Sequence, residues 1–213
     1  MRQPLWRQRF MKVGVFSACL TPLAMLAWDT ITDQLGANPI EAITRQTGTW
    51  TLRFLLISLA VTPARRLAGW NSVIRFRRML GLFAFFYASL HFLTYIWLDQ
   101  FFVVEDIAKD VIERPFITVG FLGFAMLIPL AVTSTAKMIK RLGGKRWQLL
   151  HRLVYASAVA GVVHYLWLVK ADVQLPLIYG SLLAVLLGYR LWAICAPYIK
   201  PRKVFSRQPI MRA

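Results

Sequence analysis

The chain has 213 residues, 58% of them hydrophobic, and a positive mean hydropathy, which excludes an ordinary soluble domain folded around one apolar core. Its 26 Lys and Arg against 9 Asp and Glu give a formal charge of +17, which in a soluble protein would point to nucleic acid. Here the basic residues fall in short segments between long apolar runs. That is the pattern of loops beside anionic lipid head groups, and it argues against nucleic acid as a partner.

At about 20 residues per crossing, the apolar runs predict six transmembrane helices, near 10–29, 48–67, 79–98, 115–135, 147–169 and 175–195. The expected fold is an all-α, polytopic membrane bundle forming a single domain over 1–213. Each run must be helical because lipid offers no partner to an unpaired peptide group. Residues 1–27 have the basic start and apolar run of a signal peptide. They lack a small-x-small cleavage site, so a retained first helix is expected. In the second run Arg53 interrupts the pattern and must snorkel or find an anionic partner. The third run carries His91. The segment 99–114 that follows is too polar to cross. Its Phe101, Val104, Ala108 and Val111 recur at helical spacing opposite Glu105, Asp106 and Asp110, which predicts an amphipathic helix on the outer membrane surface, either a connector or a docking face. The fifth run carries His151 and His164. Cys19 and Cys195 lie in the first and last runs with no ligand-spaced neighbour and read as small core hydrophobes.

Charge sets the orientation. Arg2, Arg7, Arg9 and Lys12 precede the first helix, and Arg65, Arg66, Arg75, Arg77 and Arg78 join the second to the third. Lys137, Lys140, Arg141, Lys145 and Arg146 lie between the fourth and fifth, and Lys200, Arg202, Lys203, Arg207 and Arg212 form the tail. The acidic residues, Asp29, Asp33, Glu41, Asp99, Glu105, Asp106, Asp110, Glu113 and Asp172, all fall on the other side. Six crossings with both termini cytoplasmic satisfy every loop. Trp28, Trp50, Trp97 and Trp167 at outer ends, with Trp6, Trp70, Trp147 and Trp192 at inner ends, form the expected aromatic belts.

The three histidines all fall inside predicted spans. At about 1.5 Å per residue, His91 lies about 12 Å from the outer end of its helix and His164 about 9 Å from the outer end of its own. Two imidazoles from different helices thus reach one level, where they can supply both axial nitrogens to a haem iron. His151 precedes His164 by 13 residues, about 20 Å further inward and about 140° around an ideal helix. At its level the third helix offers Arg77 or Arg78 rather than a histidine. His151 therefore has three readings: a haem with an unusual second ligand, another redox ligand such as flavin or quinone, or a cap on the inner surface. Neither Cys nor carboxylate accompanies His91 or His164, which argues against zinc. No nucleophile with a base, phosphate loop or intramembrane carboxylate pair is present, so no catalytic residues are expected. A proton relay or small transporter is the competing reading, opposed by the lack of acidic residues in the spans and of an inverted repeat. A purely structural anchor for a periplasmic enzyme would tolerate loss of all three histidines.

The strings GLFAFFYASLHFLTY around His91, RPFITVG at 114–120 and GKRWQLLHRLVYASAVAGVVHYLW at 144–167 resemble the haem-binding membrane subunits of periplasmic protein-methionine-sulfoxide reductase systems. LGANPIEAITRQTGTWTLRFLL at 35–56, VTP at 61–63 and VTSTA at 132–136 extend the likeness over nearly the whole chain. These subunits belong to a ferric-reductase-like transmembrane superfamily. The resemblance implies haem b held by His91, His151 and His164 in a bacterial inner membrane, with FMN and quinone as associated cofactors. It also implies that electrons pass to a periplasmic molybdopterin-containing subunit that reduces oxidised methionine in proteins. Two histidine pairs at two depths are usual in that superfamily, whereas Arg77 or Arg78 stands where the inner partner would be, so one haem is expected and a second is open. After Ala196 only a basic tail follows, so the donor is expected to be quinol or a separate cytoplasmic flavin reductase. Arg53 is expected either to pair with haem propionates or simply to snorkel to water.

Overall fold

The computed structural model describes residues 5–169 and 171–199, and among them every regular element is a helix. Helix α1 (Leu5–Ile31) is followed by α2 (Pro39–Leu67), a 3-10 turn (Asn71–Phe76), α3 (Arg77–Leu93) and a π-helical turn (Thr94–Asp99). Then come α4 (Val104–Glu113), α5 (Pro115–Val132), α6 (Ala136–Leu142), α7 (Gly144–Leu150), α8 (Leu153–Leu168) and α9 (Gln174–Ile199). Local chemistry sets the ends. The Asn38 side chain accepts the Glu41 N–H at 3.2 Å, and Pro39 occupies the first turn, where its missing N–H costs nothing. Pro115 opens α5 in the same way, and Gly143, at φ +75, closes α6 in a conformation that favours glycine.

Among the described residues five segments are long and apolar enough to cross a membrane: Trp6–Ile31, Asn71–Asp99, Pro115–Val132, Gly144–Leu168 and Gln174–Ala196. The remaining predicted crossing corresponds to α2, a helix of 29 residues whose apolar pattern is diluted by Glu41, Arg45, Arg53, Arg65 and Arg66. Its position explains the dilution. It packs against α3 on one side and against α8 and α9 on the other, burying Leu52, Phe54, Leu55, Leu56 and Leu59. A helix enclosed by protein does not need an apolar surface on every side. The outward faces of the other helices are apolar instead, with Phe10, Trp28, Val132, Val185 and Ile194 all exposed, as a lipid solvent demands.

Helices α2, α3, α5 and α8 enclose the centre, α1 lies outside against α2 and α3, and α9 lies against α8 and α2. Tyr87 ties α1 in place, its hydroxyl donating to the Cys19 carbonyl at 2.9 Å and accepting the Leu23 N–H at 3.1 Å. Cys19 is buried as expected, but Cys195 is exposed on α9. A small apolar side chain is as stable facing lipid as facing protein, so the pattern could not separate the two cysteines. Trp6, Trp28, Trp70, Trp97, Trp167 and Trp192 are exposed in keeping with the belts, while Trp50 and Trp147 turn inward. The basic residues expected at Arg2, Lys200, Arg202, Lys203, Arg207 and Arg212 lie outside the described residues.

Two expectations change. The run 147–169 is not one continuous helix, because the chain turns at His151 and Arg152 between α7 and α8. The amphipathic helix expected over 99–114 is present as α4, but one residue leaves its polar face: Glu105 and Asp106 are exposed, whereas Asp110 is buried at 9% exposure. Asp110 turns inward because donors await it there: the Tyr95 hydroxyl at 3.2 Å, the Gln100 amide at 3.0 Å and the Arg114 guanidinium at 3.3 Å. Phe101 and Phe102, both left-handed at φ 46 and 61, reverse the chain between the π turn and α4.

Candidate functional site

His91 stands in the last turn of α3, just before the π turn, a distortion that often marks functional sites. His164 projects from the C-terminal half of α8. Their ring centroids are 6.0 Å apart and their planes are inclined at 77°. His91 and His164, which their depth along the helices pairs, thus stand side by side.

The orientation of each ring is fixed in the same way. His91 donates from Nδ1 to the Thr44 carbonyl at 2.9 Å, and His164 donates from Nδ1 to the Phe116 carbonyl at 2.7 Å. A carbonyl only accepts, so in both rings the proton sits on Nδ1 and Nε2 keeps its lone pair. In each case the residue four positions after the carbonyl is a glycine, Gly48 or Gly120. A Cβ on Gly48 would stand 3.0 Å from the His91 ring, and one on Gly120 would stand 2.8 Å from Nδ1 of His164. The two glycines are cradles that let an imidazole reach a helix backbone.

Both histidines line a cavity of about 310 Å³. Its walls are apolar, with Leu52, Leu55, Phe121 and Leu127 among the lining side chains. Phe92 and Phe124 stack at 4.6 Å to stiffen one side. Polar groups gather at its mouth, where Arg45, Tyr95, Asp99 and Arg114 contribute. Arg45 is paired with Glu41 at 2.7 Å and Arg114 with Asp110 at 3.3 Å.

This donor set fits a planar metal macrocycle. Two imidazoles ligating one metal from opposite sides, each at about 2 Å, place their ring centroids about 6 Å apart. Among the described residues no group of three or more His, Cys, Asp or Glu could hold a bare metal ion. A metal held by these two imidazoles would take its other ligands from a macrocycle, as haem iron takes the four porphyrin nitrogens.

The other residues singled out from sequence lie elsewhere. His151 donates from Nδ1 to the Trp147 carbonyl at 3.0 Å and stacks on the Trp147 ring at 3.8 Å. It is not part of the cavity wall, and its buried Nε2 has no hydrogen-bond partner among the described residues. Arg77, at the start of α3, is within electrostatic reach of it, and Arg78 is exposed. Arg53 turns toward α9, donating to the Tyr179 hydroxyl at 2.9 Å with its guanidinium 4.6 Å over the Trp50 ring, and it does not line the cavity. The cations at the mouth are Arg45 and Arg114, which sequence reasoning passed over. Arg45 carried a signal, since it follows Glu41 at the spacing of a helical ion pair.

Residues 47–162 match the family described as ferric reductase like transmembrane component. That segment includes Gly48, His91, Gly120 and His151 and ends just short of His164. Over 185 residues the chain is 61% identical to the protein-methionine-sulfoxide reductase heme-binding subunit MsrQ of Herminiimonas arsenicoxydans, covering 85% of each chain. It is 55% identical over 190 residues to the protein of the same name from Azospira oryzae, covering 88% of this chain and 82% of that one. With the protein of that name from Rhodospirillum rubrum it shares 56% identity over 185 residues, 87% of this chain and 89% of the other.

Proposed function

The chain belongs to the MsrQ family of ferric reductase like transmembrane proteins, and from that membership we propose that it holds haem b between His91 and His164 and passes electrons across the bilayer to a periplasmic methionine sulfoxide reductase. The observation that carries the reading is the paired arrangement of the two imidazoles. Each has its Nδ1–H engaged by a helix carbonyl, leaving Nε2 as donor to a metal, at a ring separation of 6.0 Å.

Haem supplies a one-electron redox centre within the membrane. The chain does the rest. The Thr44 and Phe116 carbonyls fix the tautomer and angle of the two rings, a supporting role known to govern metal affinity. The phenylalanine wall keeps water from the site, and Arg45 and Arg114 present cations at the outer mouth to the carboxylates of the cofactor. In this reading α2 is a sixth crossing, supported by its 29 residues and its central position, and both termini lie in the cytoplasm of a cell with this protein in its inner membrane. The partner is a molybdopterin-containing subunit on the side of the acidic loops. Electrons enter from quinol or a cytoplasmic flavin reductase at the basic end near His151, where FMN or a second haem would also belong.

Haem, iron and flavin quantified per polypeptide in the purified protein test this. One haem with a low-spin bis-imidazole spectrum is expected, lost in both His91→Ala and His164→Ala and kept in His151→Ala. Persistence of the low-spin signal in either of the first two variants refutes the pairing.

A further inference from the structure

At the end of the bundle opposite the cavity mouth, a second polar cluster is built from cations. Arg190 of α9 donates through one terminal nitrogen to the Tyr155 hydroxyl and through the other to the Leu59 carbonyl at 2.7 Å, linking α9 to α8 and α2. Its guanidinium carbon lies 4.8 Å from the centre of the Tyr155 ring. Its Nε–H is buried and has no partner. Arg66 and Arg77 stand within electrostatic reach. Thr62, on α2 between Leu59 and Arg66, has a buried hydroxyl that is likewise unpaired.

Unpaired buried polar atoms are rare in folded proteins, and each signals a missing partner. Among the described residues they are Thr62 Oγ1, Arg190 Nε and His151 Nε2; His151 donates from Nδ1, so its Nε2 is an acceptor, and the donors left without an acceptor are those of Thr62 and Arg190. The missing partner must be an anion. The ion pairs among the described residues, Arg45 with Glu41 and Arg114 with Asp110, are both at the opposite end, and no carboxylate accompanies Arg190, Arg77 or Arg66. Arg190 nevertheless lies within Gln174–Ala196, a segment apolar enough to cross the bilayer, where an uncompensated charge is costly. Its surroundings indicate where the anion comes from. Tyr189 and Trp192 flank it with rings 5.9 Å apart, and Trp192, Leu191 and Ile194 are exposed on the outer face of α9. Amphipathic aromatics beside apolar side chains are the mark of the headgroup level.

We propose that this end of the bundle is a binding site for a phosphate oxyanion carried by an anionic phospholipid of the adjoining leaflet. Arg190, Arg77 and Arg66 supply the charge, and the Arg190 Nε–H and the Thr62 hydroxyl are the donors that remain free for its oxygens. Basic pockets between membrane helices take lipid head groups in this way.

The full chain, reconstituted in nanodiscs of phosphatidylcholine doped with phosphatidylglycerol, provides the test, with retained lipid read by native mass spectrometry and stability by thermal unfolding. Phosphatidylglycerol is expected to be retained and to raise the unfolding midpoint. Loss of one arginine, in Arg190→Gln or Arg77→Gln, is expected to weaken retention about fivefold. Thr62→Val preserves the packing and removes only the hydroxyl, so weaker retention in that variant separates ligand loss from misfolding. Lys145→Gln, an exposed basic residue of the same end, should retain lipid as the parent does. Equal retention by the parent and by the Arg190, Arg77 and Thr62 variants, or no preference for phosphatidylglycerol over phosphatidylcholine, overturns the proposal. Inorganic phosphate that alone reproduces the stabilisation overturns the lipid assignment in favour of the free ion. None of these readouts depends on haem.

Discussion

Replacing Gly120 by alanine tests the cradle with a single methyl group. The new Cβ would stand 2.8 Å from Nδ1 of His164, 3.0 Å from Cε1 and 3.3 Å from Cγ, whereas ordinary contact begins near 3.4 Å. The ring must therefore retreat by about 0.6 Å, against a metal–nitrogen bond of about 2 Å. Retreat of helix α5 instead would open its close packing on α8, where a Cβ on Gly123 would stand only 3.3 Å from Ala160. The retreat also strains the 2.7 Å bond to the Phe116 carbonyl, and disturbing such a supporting bond costs about 10–100-fold in metal affinity. Optical and electron paramagnetic resonance spectra of the purified Gly120→Ala protein should show a high-spin fraction and haem lost on dilution. Gly48→Ala, where the nearest ring atoms are 3.0 Å away, should show the same defect to a lesser degree. An unaltered low-spin spectrum with full haem content in Gly120→Ala would show that His164 is not held in this way.

Arg114→Gln should lower the haem midpoint potential. A unit charge about 10 Å away at an effective dielectric near 20 is worth about 1.7 kcal/mol, and partial neutralisation by Asp110 reduces this to a fall of about 20–70 mV in a redox titration. Arg53→Gln should leave the potential within error of the parent, because its side chain is engaged by Tyr179 and Trp50 away from the cavity. Tyr87→Phe removes a donor from Cys19 and an acceptor from Leu23 at a side chain with 1% exposure. It should lower stability by about 1–3 kcal/mol, seen as an earlier thermal unfolding transition without loss of haem. A membrane-permeant maleimide should label Cys195 in the folded protein and Cys19 only after unfolding, as mass spectrometry of the labelled peptides will show.

Depth along the membrane normal was legible in the sequence, and direction around each helix was not. Counting residues from charged ends sets a histidine's level within a turn, which is why His91 and His164 could be paired without any structure. Azimuth depends on which neighbour a helix packs against. Arg53 was at a plausible level for the cofactor but faces α9, while Arg45, two turns earlier on the same helix, reaches the cavity. Asp110 reads as part of a solvated face until Tyr95, Gln100 and Arg114 are seen to converge on it. The offset of about 140° between His151 and His164 assumed an unbroken helix, and the turn at His151 and Arg152 removes that assumption. Gly48 and Gly120 looked unremarkable as residues, because what they permit is an approach by a side chain far away in sequence.

Under the proposed function, the two backbone bonds that hold the imidazoles also bear on what crosses with the electron. With Nδ1–H committed to a peptide oxygen and Nε2 taken by the proposed haem iron, neither ring would have a free site at which to gain or release a proton. In the proposed orientation the transfer is therefore electrogenic, moving charge uncompensated by hydrogen ions. A full crossing out of a cell whose interior is negative gains about 2.3 kcal/mol per 100 mV of membrane potential. The voltage maintained by other pumps would thus draw reducing power toward the periplasm and oppose its return.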